Sequence, residues 1–307
     1  MNKLSIFFKG MAMGAADVVP GVSGGTIAFI TGIYDTLIES IRRVNPSLFF
    51  LWKKEGIKAA FEHINGRFLI SLFSGILTSI FSLAKLISWL LATHPIPLWS
   101  FFFGLIMISV VHMIKQVDNW QLSKVIALIA GAIFAYAITS INPISLTPST
   151  LTFFFAGTIA ICAMILPGIS GSFILLLLGM YTPILSAAKS FDIVLLLTFA
   201  MGCLVGLLTF SHVLSYLFRH FRDITITFLT GLMIGTLPKI WPWKETISWR
   251  TNSHGEQVPL LTQNLSPFDF EAVTGQPALL AWGIVAMIFG IVLVWSLEQI
   301  GNKNSQS

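Results

Sequence analysis

GAADVVPGVSGGTIAFITGIYDTLIESI, residues 14–41, has a near copy in ICAMILPGISGSFILLLLGMYTPILSAA, residues 161–188. Pro20, Gly21, Ser23, Gly24, Gly32 and Tyr34 recur as Pro167, Gly168, Ser170, Gly171, Gly179 and Tyr181 at a constant offset of 147. Proline and glycine stop a helix, and here they do so inside apolar sequence, once in each half. Paired breaks of this kind mark binding sites built from discontinuous membrane helices. Ser23 and Ser170 stand where a side chain caps the helix that follows. Gly24, Gly25 and Thr26 follow in one half, Gly171 and Ser172 in the other. Free amides at such helix starts, aided by the helix dipole, bind anions. Two of them converging from opposite faces would cradle a phosphate. The competing reading is a pair of packing kinks, with glycine permitting close helix contact.

Composition places the chain in lipid. Of its 307 residues 55% are hydrophobic and 10% charged, against about 25% charged in soluble domains. Between Val125 and Ala188 there is no Asp, Glu, Lys or Arg. Cys162 and Cys203 give no metal-ligand or disulfide spacing. Nothing calls for a cofactor, a metal or a nucleic-acid partner, and MNKLSIFFKG, interrupted by Lys9, does not read as a signal peptide.

The internal similarity extends beyond the motif. At an offset of 127, Gly75, Lys85, Ser88 and Gly104 meet Gly202, His212, Ser215 and Gly231; at 159, Gly131 meets Gly290. The expected fold is an all-α polytopic membrane protein of two inverted repeats. The first repeat, 1–146, has a re-entrant motif at 14–41, an amphipathic cytoplasmic insertion at 42–66, and spans at 68–93, 97–114 and 125–141. The second, 147–307, has a re-entrant motif at 150–188, spans at 193–218, 223–240 and 278–297, and an outer loop at 241–277. In that loop Trp241, Trp243 and Trp249 suit the headgroup region. About 16 apolar residues flank the second break on each side, giving two arms of roughly 24 Å, too short to cross a core of about 30 Å.

Orientation follows from positive charge. With the N-terminus inside and three crossings per repeat, Lys3, Lys9, Arg42, Arg43, Lys53, Lys54, Lys58, Arg67, Lys115, Lys124, Arg219, Arg222 and Lys303 fall on the cytoplasmic side. Only Lys189, Lys239, Lys244 and Arg250 fall outside or near the outer edge, a bias that agrees with the positive-inside rule. Ionisable residues at membrane depth suggest function by default. Lys85 and His212 occupy equivalent repeat positions and are candidates to bind an anionic headgroup; the alternative for Lys85 is snorkelling to the surface. Asp17, whose repeat partner is Met164, is a candidate for coupling to a proton or another cation, or a local partner for backbone amides.

The string GAADVVPGVSGGTIAFITGIYDTLI closely resembles the signature of a bacterial membrane family long catalogued as a domain of unknown function and assigned as polyprenyl-phosphate transporters of the PopT type. AMILPGISGSFILLLLGMY is its second signature, and the resemblance covers nearly the whole chain. It implies return of undecaprenyl phosphate from the outer to the inner leaflet of the bacterial cytoplasmic membrane, where this carrier of envelope precursors is reused. The residues alone lead to a carrier of anions or anionic lipids, with the bilayer and the lipid as partners, and leave a homo-oligomer open. A channel or carrier for small inorganic anions is the alternative. An undecaprenyl-pyrophosphate phosphatase is a further one, but that enzyme's motif continues with an arginine and works with membrane glutamates, whereas Gly24 and Gly171 follow the serines here.

Overall fold

The computed structural model describes residues 3–19, 22–141, 143–144, 146–251 and 257–305. Pro20 and Gly21 of the first motif lie outside them.

The first broken segment is three helices, α1 (Lys3–Val18), α2 (Gly24–Ile30) and α3 (Tyr34–Arg42). Next come α4 (Pro46–His63), α5 (Gly66–Thr93), α6 (Pro95–Lys115) and α7 (Leu122–Ser140). The second broken segment is α8 (Thr150–Ile165), α9 (Gly171–Leu177) and α10 (Tyr181–Lys189). It is followed by α11 (Ile193–His220), α12 (Arg222–Thr236) and a 3-10 turn at Leu237–Ile240. The chain ends with strands β1 (Lys244–Thr251) and β2 (Gln257–Asn264), then α13 (Pro267–Thr274) and α14 (Leu280–Ser305). Among the described residues, α6, α7, α11 and the Gly66–Leu83 part of α5 are each long and apolar enough to cross a bilayer, while α8 and the Leu280–Ser296 part of α14 are shorter apolar helices. The chain is an all-α polytopic membrane protein, with one small hairpin outside the helices among the described residues.

Each broken segment has a second break where one long arm was expected. Gly32 (φ 69°) and Gly179 (φ 68°) adopt the left-handed conformation that side chains resist. At Gly179 the chain bends by 106° between α9 and α10. The piece after each motif is therefore seven residues, about 10 Å, and not a 24 Å arm. The first arm also begins earlier than residue 14, because α1 is helical from Lys3.

Helix packing follows the glycines. α1 lies along α5, α8 along α11, α6 along α14 and α7 along α12. A Cβ at Gly75 would stand 2.1 Å from the Phe7 carbonyl oxygen, and one at Gly202 2.0 Å from that of Phe154. Gly104 and Gly231 meet the Met287 and Leu128 carbonyls in the same way, at 2.2 and 2.1 Å. In lipid, helices associate by close packing of small residues, so these glycines set the crossings.

α4 is bent at Gly56 (φ 89°) and buries none of its residues. Phe50 and Ile57 on it are 70% and 75% exposed.

The stretch after α12 forms an antiparallel hairpin in place of the expected loop. The alternation in TISWRT was its signal. Trp249 stays exposed, but Trp243 is buried, its Nε1 donating to the Ala278 carbonyl at 2.8 Å against Ile96 and Phe270. Trp243 thus packs into a small apolar cluster that ties the hairpin to the start of α6 and to α13. Beside it the Lys244 ammonium lies 4.1 Å from the centre of the Trp99 ring and donates to the Lys239 carbonyl. Burial, and secondarily the charge of Lys239, push the Lys244 pKa down to about 7. A ring face offsets only about 0.5–2 kcal/mol of that burial cost. The folded state then binds fewer protons than the unfolded chain above pH 7, so stability should rise with pH from about 7 towards 10.5 and be lowest below 7. Melting curves of wild type and Lys244→Met across pH 6–10 check this: the variant should lose that slope.

Candidate functional site

The two breaks meet at the centre of the protein. All seven residues of α2 are buried. Val19, Val22 and Ile33 around it, and Leu232 and Met233 from α12, have no exposed surface. Backbone that leaves a helix at this depth needs partners from protein or a watery cavity. Here much of the supply crosses between the motifs.

The last carbonyls of α8 have no helical partner of their own. Ser23 Oγ donates to the Met164 carbonyl at 3.1 Å, and Tyr34 Oη donates to that of Ile165 at 3.1 Å. In return the Gly168 amide donates to Thr26 Oγ1 at 2.7 Å. A Cβ on Gly25 would stand 2.5 Å from the Ile165 oxygen, so only glycine admits this approach. Ser23, Gly25, Thr26 and Tyr34 thus hold the end of α8 and the turn after it.

Removing one tie tests the interlock. Thr26→Val keeps the shape but leaves the Gly168 amide without its acceptor, which should cost about 1–3 kcal/mol. The melting temperature in detergent should fall for Thr26→Val and stay near wild type for Thr26→Ser.

The two helix starts differ. At α2 the Gly24 amide donates to Asp17 Oδ1 at 2.7 Å, and Gly25 donates to Ser23 Oγ at 3.1 Å. The anion at this helix start is the chain's own carboxylate. Asp17 is therefore the partner of a backbone amide, and a Cβ on Gly24 would meet that carboxylate at 2.5 Å. The space in front of Gly24, expected to receive a ligand, is filled. At α9 the expected cap is missing. Ser170 holds the N-cap position but makes no capping bond, its Oγ lying 2.9 Å from Ser172 Oγ. Met164 at Asp17's equivalent position supplies no carboxylate. Among the described residues no acceptor is bonded to the Gly171 and Ser172 amides, and Ser172 is exposed. Pro167 and Gly168 form the turn leading here, with Gly168 against Thr236.

Lys85 and His212 are not brought to the motifs. Both are exposed on their helices, and His212 Nδ1 lies 2.7 Å from the Leu208 carbonyl of its own helix. Lys9 donates to the Thr31 carbonyl at the end of α2 at 2.6 Å, and the lysine that approaches α9 is Lys239, whose ammonium lies 4.8 Å from the ring centre of Phe173. Its place at the end of an apolar run was the available signal.

Several membrane-length helices around two docked, broken ones define a multi-pass membrane protein of carrier type. Residues 13–258 match the model of the undecaprenyl phosphate translocase-like family, and the chain belongs to that family. A protein of Vibrio cholerae serotype O1 named polyprenyl-phosphate transporter is 65% identical over 99% of this chain and 98% of its own length. One of the same name from Staphylococcus aureus is 34% identical over 76% of this chain and 84% of its own. No solved structure matches the chain.

Proposed function

We propose that this protein carries polyprenyl phosphate, specifically undecaprenyl phosphate, from the outer to the inner leaflet of a bacterial cytoplasmic membrane, returning the lipid for reuse. It is a transporter and not an enzyme, as the family and both named relatives indicate. The observation that carries the reading is the docking of the first broken helix on the end of α8 and the turn after it, with the amides at the start of α2 taken by Asp17 and Ser23 and, among the described residues, no acceptor bonded to the Gly171 and Ser172 amides at the start of α9.

The headgroup phosphate binds first to the amides and hydroxyls at the start of α9, with Lys239 adding positive charge. α2 accepts the phosphate only when Asp17 withdraws, because one helix start holds one anion. Protonation of Asp17 removes the competing charge, so a proton and the phosphate occupy the site together. Lys85 and His212 contribute from outside the first contact, along the lateral path of the lipid.

Two inverted repeats divided at 146/147 would give this exchange its symmetry. The matching pairs α1–α5 with α8–α11, and α6–α14 with α12–α7, support that division, with 42–66 inside and 241–277 outside.

Proteoliposomes containing a short-chain polyprenyl phosphate, with an impermeant phosphatase added outside, test the reading. The protein should make the inner-leaflet pool accessible. If that pool stays protected while entrapped inorganic phosphate escapes, the protein is a small-anion carrier.

A further inference from the structure

We propose a second anion-binding site on the cytoplasmic side of the protein, a subsite for a phosphate monoester between α3 and α11. The proposal rests on the transport reading for its lipid source, but not for its chemistry.

The site is a cavity of about 310 Å³ whose polar lining is Asp35, Glu39, Arg43, Ser215 and Arg219. Three guanidinium groups converge on one carboxylate. Arg42 grips Glu39 with two bonds, Nε to Oε2 at 2.9 Å and Nη2 to Oε1 at 2.7 Å. Arg219 reaches Oε1 with one nitrogen at 2.8 Å, and Arg43 with one at 3.3 Å. Ser215 adds a hydroxyl to Oε2 at 2.9 Å. Arg42 is therefore committed, while Arg43 and Arg219, which line the cavity, keep unused donors of the five each carries. Asp35 on the same lining is faced by Arg222 at 3.9 Å, so the arginines keep two positive charges in excess over Glu39 and Asp35 together, matching a phosphate monoester dianion. Planar guanidinium forks suit phosphate oxygens better than point charges do.

A structural tie between helices would explain the ion pairs alone, but two further observations point to a ligand. First, the cluster has no counterpart in the other half. At the same offsets Glu39, Arg43 and Arg219 correspond to Ser186, Ser190 and Ala92, and only Arg42 meets another cation, Lys189. A tie needed by the fold itself would recur at both ends. Second, the cavity adjoins the docked motifs. Its wall residue Phe218 lies 5.8 Å, ring centre to ring centre, from Tyr34, whose hydroxyl holds Ile165. Glu39 acts as a resident anion: it keeps the guanidinium groups ordered when the site is empty and yields them to the phosphate.

Arginine-directed labelling with phenylglyoxal reads this site directly in the whole protein in phosphatidylcholine nanodiscs. Labelling rates at Arg43 and Arg219 are followed by peptide mass spectrometry, with exposed Arg67 as the reference. Farnesyl phosphate should slow labelling at Arg219 at least fivefold, and farnesol should not. Protection by inorganic phosphate at similar concentrations would identify the free ion as ligand; protection by farnesyl phosphate at far lower concentrations identifies the lipid headgroup. Glu39→Gln, which removes the resident anion, should shift protection to lower phosphate concentrations. Unchanged labelling of wild type with both phosphates overturns the subsite, even where the proteoliposomes show transport. Protection by inorganic phosphate in a protein that moves no lipid keeps the subsite and removes the lipid reading.

Discussion

Gly25→Val is expected to abolish transport while the protein still inserts. A Cβ at position 25 would lie 2.5 Å from the Ile165 carbonyl oxygen and 3.0 Å from that of Met164, both backbone atoms of the facing segment. A side-chain neighbour can rotate away, but the end of a helix cannot without undocking. Forcing in the extra carbons costs about 1–3 kcal/mol. The Ser23–Met164 and Tyr34–Ile165 bonds hold the docked state in wild type and variant alike, so the steric cost alone shifts the balance, and near its upper end it corresponds to roughly a hundredfold loss of the docked state. Flux in proteoliposomes should fall by that order, while size-exclusion elution and helical content stay near wild type. Wild-type flux in a normally inserted variant would mean that the two breaks need not dock.

The second large effect is expected from Asp17→Asn, and it falls on coupling and not on binding. The asparagine oxygen still accepts from the Gly24 amide, so the cap on α2 survives. What disappears is the charge that competes with the phosphate and the proton that relieves it. Moving a dianion inward against a potential that is negative inside costs about 2.3 kcal/mol per charge per 100 mV, and a proton carried along offsets part of this. Wild-type flux should therefore increase with an inward proton gradient. Asp17→Asn should bind lipid normally and transport at a rate indifferent to the gradient. A gradient-dependent Asn variant, or a wild type that ignores the gradient, would reduce Asp17 to a helix cap.

The sequence exposed the scaffold more fully than the site. Pro-Gly-x-Ser-Gly inside apolar sequence located both breaks, because proline and glycine act locally whatever surrounds them. The glycines aligned by offset, Gly75 with Gly202 and Gly104 with Gly231, lie at helix crossings. Side-chain roles were less legible, because they depend on what the facing segment brings. Ser23 and Ser170 are the same residue in the same motif, yet only Ser23 caps its helix and reaches the other half. Lys85 and His212 stood out as charges in apolar runs, but helical rotation leaves both exposed. Asp17 read as a lone carboxylate, and its bond to Gly24, seven positions on, needs the turn between them. Glu39 and its arginines looked like ordinary span-end charges, since Arg219 joins them only through the packing of α3 on α11. The second glycine breaks, at Gly32 and Gly179, were visible as repeated residues, but a single glycine in apolar sequence does not separate a sharp turn from a close packing contact.

A structure determined with a short-chain polyprenyl phosphate bound bears most directly on the central claim. The account predicts phosphate density within hydrogen-bond distance of the Gly171 or Ser172 amides, or of Gly24 with Asp17 turned away, and a prenyl tail running out to the bilayer. Lipid density that leaves both helix starts empty would contradict it.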